Sequence, residues 1–110
     1  MKIKRLLALC VLAILVPCVL LILALSAYMA KEESNALYAQ ANELREQGKF
    51  AAAEPLYKRG LAIREKALGP DHLHVAVVLQ NMADLYDQTG DKAQADELKA
   101  RAAKIRARPH

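Results

Sequence analysis

Two stretches of this chain follow one template: ELREQGK at residues 43–49 and LYDQTGD at residues 85–91. When they are superimposed, Gly48 aligns with Gly90. A fixed period of this length, about 42 residues, is typical of proteins built from stacked helical repeats. Because each repeat contacts only its neighbours and the array presents an extended surface, the pattern favours a binding function over catalysis.

The apolar residues around the two glycines recur every three or four positions, which predicts an all-α repeat region. We expect two stacked helix-turn-helix repeats, made of four helices at about 34–47, 50–68, 73–89 and 92–107. Gly48 and Gly90 should end the first and third helices, since glycine readily adopts the left-handed conformation found there. Gly60 lies inside the second helix, where it costs about 1 kcal/mol relative to alanine. A close helix crossing would explain it.

The N-terminal part of the chain has the composition of a membrane span. The run from Leu6 to Leu25 has no charged or strongly polar side chain. A helix of this length, rising about 1.5 Å per residue, crosses a hydrocarbon core about 30 Å thick. Lys2, Lys4 and Arg5 precede the run. The positive-inside rule therefore predicts a single-pass protein with a cytoplasmic N-terminus and a periplasmic or extracellular C-terminal domain.

A cleaved signal peptide is the alternative to an uncleaved anchor. The apolar run exceeds the roughly 7–15 residues of a typical signal core, which favours the anchor. Small residues around Ala24-Leu25-Ser26 offer an acceptable cleavage site, and those around Tyr28-Met29-Ala30 a poor one. Cleavage would give a secreted soluble protein. The sequence also leaves open whether the membrane helix continues into the first repeat helix, because no Gly or Pro separates them.

The predicted organisation has seven segments. They are a basic cytoplasmic start (1–5), a transmembrane helix (6–29), a linker (30–33), repeat 1 (34–68), a loop (69–72), repeat 2 with a polar capping helix (73–107) and a tail (108–110). The net charge of +4 comes mostly from the start, because residues 31–110 hold 13 Lys/Arg and 12 Asp/Glu. The outer domain thus lacks a field that would attract nucleic acid, and we expect none to bind.

No residue pattern in the chain predicts catalysis. Ser34 stands at a predicted helix start and is interpreted as a cap or linker residue. His72 and His74 lie close together at a helix start, at a spacing that should make their side chains point apart and not share a metal. We therefore predict no enzyme activity, no catalytic residue, no metal and no cofactor.

Three motifs carry a family resemblance: GKF at residues 48–50, AEPLY at 53–57 and LGPDH at 68–72. They resemble tetratricopeptide repeats of the variety, with a period of about 42 residues, that is found in kinesin light chains and many bacterial proteins. The chain departs from that variety at Leu73 and His74, where it usually has proline and an acid. In repeat 2, lysines replace the aromatic residues of repeat 1, which suits a helix that nothing covers.

The resemblance implies that the first helix of each repeat lines a concave groove for a protein or peptide partner. Asn42 stands where the family often has an asparagine that bonds a ligand backbone. Tyr38 and Gln80 replace the lysines of a carboxylate clamp, so a C-terminal carboxylate is a poor ligand. The implied groove residues are Asn35, Tyr38, Asn42, Arg45, Glu46, Val77, Gln80, Asp84, Asp87 and Gln88.

Two repeats are fewer than the three or so that usually form a stable stack. The first repeat helix has no evident cap, so we expect self-association or stacking of a partner at that end. The overall prediction is a membrane-anchored protein-interaction module. The alternatives are the secreted soluble form and a structural subunit of an envelope complex.

Overall fold

The structure is a computed structural model that describes residues 2–110. It contains four α helices, α1 (Lys2–Glu46), α2 (Phe50–Leu68), α3 (Leu73–Thr89) and α4 (Lys92–Ala107), and no strand within the described residues. The all-α prediction is confirmed. The helix boundaries differ from the predicted ones by at most one residue, except at the start of α1.

The apolar N-terminal run and the first repeat helix form one uninterrupted helix. α1 is 45 residues long, and residues 30–33, for which we predict a linker, are helical. The sequence there is Ala-Lys-Glu-Glu, and all three residue types have high helix propensity. Nothing in this segment therefore ends the helix, which continues almost to Gly48.

The two aligned glycines end α1 and α3 with the same motif. Gly48 and Gly90 have positive φ angles of 77° and 88°. Beyond Gly48, the Lys49 amide donates to the Leu44 carbonyl at 2.8 Å, and beyond Gly90 the Asp91 amide donates to the Tyr86 carbonyl at 2.9 Å. Each glycine amide also donates to the carbonyl three residues before it, and the two bonds at each helix end form a Schellman motif. The predicted helix ends are confirmed.

The core lies between helices that are neighbours in the sequence: α1 packs on α2, α2 on α3, and α3 on α4. Gly60 on α2 marks a close approach to α1, because a Cβ there would lie 2.5 Å from Cε1 of Tyr38. The Tyr38 ring occupies the space that a side chain at residue 60 would need, which accounts for the glycine. The fully buried large side chains are Tyr57, Val75, Leu79 and Leu85, with Ile105 on α4.

The N-terminal part of α1 has no such packing. Residues 2–29 are all exposed, and every buried residue that the structure describes lies at Ser34 or beyond. α1 is the one helix in residues 2–110 that is long and apolar enough to cross a membrane, a criterion that a signal sequence also meets. The extended shape, 71 × 30 × 16 Å, follows from this projecting segment.

Candidate functional site

The surface shared by α1 and α3 brings together about half of the predicted groove residues. Arg45 reaches from α1 to α3, where its Nη1 donates to the Asn81 carbonyl at 3.4 Å. On α3, the Gln80 side-chain amide donates to an Asp84 oxygen at 3.3 Å. We call this surface the α1–α3 face; it comprises Asn42, Arg45, Glu46, Gln80, Asn81 and Asp84.

Asn42 lies half-buried near the centre of the α1–α3 face. Its Oδ1 accepts a hydrogen bond from the hydroxyl of Tyr57, whose side chain is buried on α2. One of the two lone pairs of Oδ1 is therefore engaged within the protein, which leaves the second lone pair and the Nδ2 group available to a ligand.

Charged groups surround the Tyr57 hydroxyl and define the electrostatics of the face. Burial is the main cause that raises the pKa of Tyr57; Arg45 lowers it, while Asp84 and Glu46 raise it further. One arginine thus stands with two carboxylates beside side-chain amides. Such a mixture offers hydrogen-bond donors and acceptors in close alternation, which suits the backbone of an extended peptide.

Four other predicted groove residues are exposed and lie outside this hydrogen-bonded cluster. Asn35 is exposed near the start of the repeat region, and Val77 and Gln88 are exposed on α3. Asp87 turns toward α4, where it forms an ion pair with Lys99 at 2.6 Å. No hydrogen bond within residues 2–110 joins these four residues to the cluster around Asn42.

Tyr38 is not a surface residue. Its ring packs against Gly60 in the core, only 8% of the residue is exposed, and its hydroxyl has no hydrogen-bond partner in residues 2–110. Burial raises the pKa of Tyr38 to about 12. The family resemblance implied a groove position for Tyr38, but the missing side chain at Gly60 makes room for the ring to turn inward.

Sequence reasoning missed Asn81, which belongs to the face, and Tyr57, which bonds to the face from α2. Asn81 follows Gln80 and precedes Asp84 by three positions, so helical spacing could have placed it on the same surface. Tyr57 comes from α2, whose residues we assigned to the core. Its hydroxyl reaches the face because the ring spans the α1–α2 interface.

The structure also differs from the expectations for Ser34, His72 and His74. Ser34 is neither cap nor linker: it is fully buried inside α1, donates to the Lys31 carbonyl at 2.9 Å and accepts from Arg64 Nε at 3.2 Å. The rings of His72 and His74 do not point apart but stack, with centroids 5.1 Å apart. His72 is the non-helical N-cap of α3, so the helical spacing rule does not apply to it.

Neither cluster resembles a catalytic or metal centre. Within residues 2–110, no three side chains of His, Cys, Asp or Glu converge in a way that could hold a metal ion. Cys10 and Cys18 are free and exposed on the projecting part of α1.

Comparison with known proteins identifies the family of this chain. A search of curated proteins gives no match to the chain. A family model described as Tetratricopeptide repeat matches residues 32–108, which covers most of the chain and both helical pairs. The protein therefore belongs to the tetratricopeptide repeat family.

Proposed function

We propose that this protein is a membrane-anchored protein-interaction module that recruits a partner through the α1–α3 face on the periplasmic or outer side of a membrane. The observation that carries the proposal is the match of residues 32–108 to an interaction fold that lies directly on the continuation of an apolar helix. Tetratricopeptide repeats generally bind protein or peptide partners and are a non-catalytic fold.

The continuity of α1 determines how the binding surface would be presented. Leu25, the end of the uncharged run, and Asn42 lie on the same helix. At about 1.5 Å per residue, the face stands roughly 25 Å beyond the end of the run. A rigid connection of this kind would hold the partner at a fixed height and raise its effective concentration near the bilayer.

The chemistry of the face favours an extended segment over a free carboxylate terminus. Arg45 and the Asn42 amide supply donors, and Glu46 and Asp84 supply acceptors. Arg45 is the only cation among the six residues of the face, and the lysines of a carboxylate clamp are replaced by Tyr38 and Gln80. We infer that the ligand is a peptide segment recognised through its backbone and through a basic side chain.

The proposal also includes the repeat variety. The Schellman motifs at Gly48 and Gly90 recur at aligned positions of the two repeats, and the stretch between α2 and α3 includes the LGPDH motif. Both features support assignment to the variety found in kinesin light chains.

Capture of binding proteins by the full chain in detergent would test the proposed function. The double variant Asn42→Ala plus Arg45→Ala should lose a partner that the native chain captures reproducibly. Gln94→Ala plus Arg106→Ala is the matched control, since it removes one amide and one guanidinium from exposed positions on α4. Equal capture by the two double variants would count against the α1–α3 face.

The secreted soluble form remains a second candidate, because the buried core begins at Ser34 and is complete without the leader. One cavity between α1 and α2 favours the uncleaved form. The end of α2, at Ile63, Lys66 and Ala67, borders a cavity whose other wall is formed by Leu23, Ser26, Ala27 and Ala30 of α1. Cleavage after Ser26 would remove half of that wall, and cleavage after Ala30 would remove all of it.

A further inference from the structure

A buried arginine without a carboxylate partner lies at the base of the repeat domain. Only 8% of Arg64 is exposed. Its Nε donates to Ser34, its Nη2 donates to Asn35 Oδ1, and its guanidinium stacks on the Tyr38 ring at 4.8 Å from the centroid. None of these contacts, all within residues 2–110, is with an anion. A guanidinium has five N–H donors, so three of them have no partner within residues 2–110, and no carboxylate hydrogen-bonds to the group.

Arg64 lines an open cavity of about 380 Å³ between the helices. We call this cavity the basic pocket; its walls are Lys31, Asn35, Arg64, Leu68, His72 and His74. Every titratable side chain among these residues is a cation or an imidazole, and none is a carboxylate.

Three acids close in sequence to the basic pocket are engaged with other cations, whereas the exposed Glu32, next to Lys31, forms no ion pair within residues 2–110. Glu65 pairs with Arg101 at 2.7 Å, Glu33 pairs with Arg59 at 2.9 Å, and Asp71 pairs with Arg108. The positive charge of the pocket is thus not cancelled by those three acids.

The two histidines add hydrogen-bond donors to the basic pocket, and the N-terminus of α3 adds a favourable dipole. Nδ1 of His72 accepts a hydrogen bond from the His74 amide at 3.2 Å, so the neutral ring carries its proton on Nε2. The positive end of the α3 dipole lies at the same place. Desolvation lowers the pKa of His74, and the charges of Arg64, His72 and Lys31 lower it further. The pocket therefore has a positive potential even where its histidines are neutral.

We propose that the basic pocket binds a phosphoryl group, with Lys31 and Arg64 supplying the charge and the histidine rings donating hydrogen bonds. A tetrahedral dianion or phosphodiester matches several convergent donors around one cavity. Arg64 is held in place by Ser34, Asn35 and Tyr38, so its free donors are oriented before the anion arrives.

A phospholipid headgroup is the source that the position of the pocket favours, a point that rests on the proposed membrane anchoring. Lys31 lies about 9 Å along the helix beyond Leu25, at roughly 1.5 Å per residue. The headgroup layer extends roughly 5–8 Å beyond the hydrocarbon on each side. The side chain of Lys31 can therefore reach the phosphates of that layer.

A second cavity adjoins the basic pocket on the side of the apolar run. It has a volume of about 220 Å³ and shares Lys31, Arg64 and Leu68 with the basic pocket. Its remaining walls are mostly apolar and include Ala27, Tyr28, Ala30 and Ala67. The apolar walls of this cavity would contact the less polar part of a phospholipid whose phosphate lies in the basic pocket.

The test uses the full chain in maltoside micelles, which contain no phosphate. In one arm inorganic phosphate is titrated, and in the other the micelles contain phosphatidylglycerol. The readout is the pKa of His74 by NMR, which should rise in each arm because a bound anion stabilises the protonated ring. Lys31→Gln should weaken binding ~10-fold, since it removes a charge-assisted contact. Lys66→Gln is the matched control, because Lys66 is exposed nearby but lines a different cavity.

Each result of the two titrations supports or overturns the proposed phosphoryl site. A rise with phosphatidylglycerol supports a headgroup site, and a rise with inorganic phosphate alone supports the phosphoryl site while removing the lipid as its source. No rise in either arm, or equal weakening by Lys31→Gln and Lys66→Gln, overturns the proposal. The phosphate arm requires neither a partner protein nor a bilayer, so its result is independent of whether the proposed interaction function holds.

Discussion

The two repeats share a backbone template but fill it differently. When Gly48 is placed on Gly90, the residues Ser34, Tyr38, Gly60 and Arg64 of repeat 1 correspond to Ala76, Gln80, Ala102 and Arg106 of repeat 2. Repeat 1 buries its serine, tyrosine and arginine, whereas repeat 2 buries the two alanines and leaves its arginine exposed.

The difference follows from the packing of one side chain between α1 and α2. In repeat 1 the Tyr38 ring lies against Gly60, and Arg64, one turn further along α2, stacks on that ring. In repeat 2 a partly exposed Gln80 stands in place of the ring, so Ala102 has room for its methyl group. Repeat 1 thus buries polar groups, including an arginine without a carboxylate partner. Repeat 2 has apolar residues at the aligned buried positions.

The largest expected contrast is between the aligned arginines. Arg64→Ala should destabilise the domain by about 3 kcal/mol, because it removes two hydrogen bonds to a charged group and a cation–π contact. Arg106→Ala should change stability by no more than about 0.5 kcal/mol, since an exposed side chain away from such contacts contributes little. Urea unfolding of residues 31–110, which include every buried residue described, would measure both values. Similar losses in the two variants would show that the repeats are not stabilised differently.

The aligned glycines should behave alike, because here the repeats agree. Both have positive φ angles. Gly48→Ala and Gly90→Ala each place a Cβ on such a residue, which costs about 1 kcal/mol or somewhat more. No heavy atom lies within 4 Å of either new Cβ, so the cost is conformational and not steric. Thermal unfolding should give equal losses; a cost confined to one glycine would mean that only one helix ends as described.

Gly60→Ala should destabilise by about 1 kcal/mol, because overpacking against Tyr38 outweighs the gain in helix propensity. Adding Tyr38→Leu should make the alanine favourable, as it is at Ala102. A double-mutant cycle measures this coupling. If the alanine costs the same with or without the tyrosine ring, the crossing does not explain the glycine.

Tyr38→Phe should have the smallest effect and the opposite sign. The hydroxyl is buried without a partner in residues 2–110. Its removal should therefore stabilise the domain by up to about 1 kcal/mol. Tyr57→Phe is the matched control and should destabilise, since it breaks the bond to Asn42. Chemical unfolding at neutral pH distinguishes the two, and a loss on Tyr38→Phe would indicate that its hydroxyl is satisfied.

The same tyrosine predicts an alkaline pH dependence. The pKa of Tyr38 is raised from 10.0 to about 12 by burial, so folding favours the neutral phenol. The resulting stability is present below pH 10 and is lost as the pH rises from 10 toward 12. Tyr38→Phe should reduce that loss. An unchanged alkaline slope in the variant would assign the effect to other groups.

Much of the fold could be predicted from the sequence, because its signals are local. The positions of Gly48 and Gly90 determine where two helices end, and the spacing of apolar residues by three and four identifies the helical segments. The continuity of α1 could not be decided, since an absence of helix breakers permits a continuous helix without requiring one.

The sites were predicted less well, because they depend on contacts between helices. The inward turn of Tyr38 depends on Gly60, which lies on the next helix and is distant in the sequence. The burial of Arg64 depends in turn on the tyrosine ring, and a buried arginine is rare enough that sequence reasoning leaves it on the surface. The stacked histidines followed from the extended conformation of His72, which periodicity does not reveal.

The proposed function depends most on a lipid-embedded segment that stays joined to the interaction domain. The most direct test is the intact mass of the protein recovered from the membrane fraction of an expressing cell. Retention of the segment predicts the mass of the whole chain, 12.1 kDa. A smaller mature species that starts after Ser26 or Ala30 and is found in the soluble fraction would contradict the anchored arrangement.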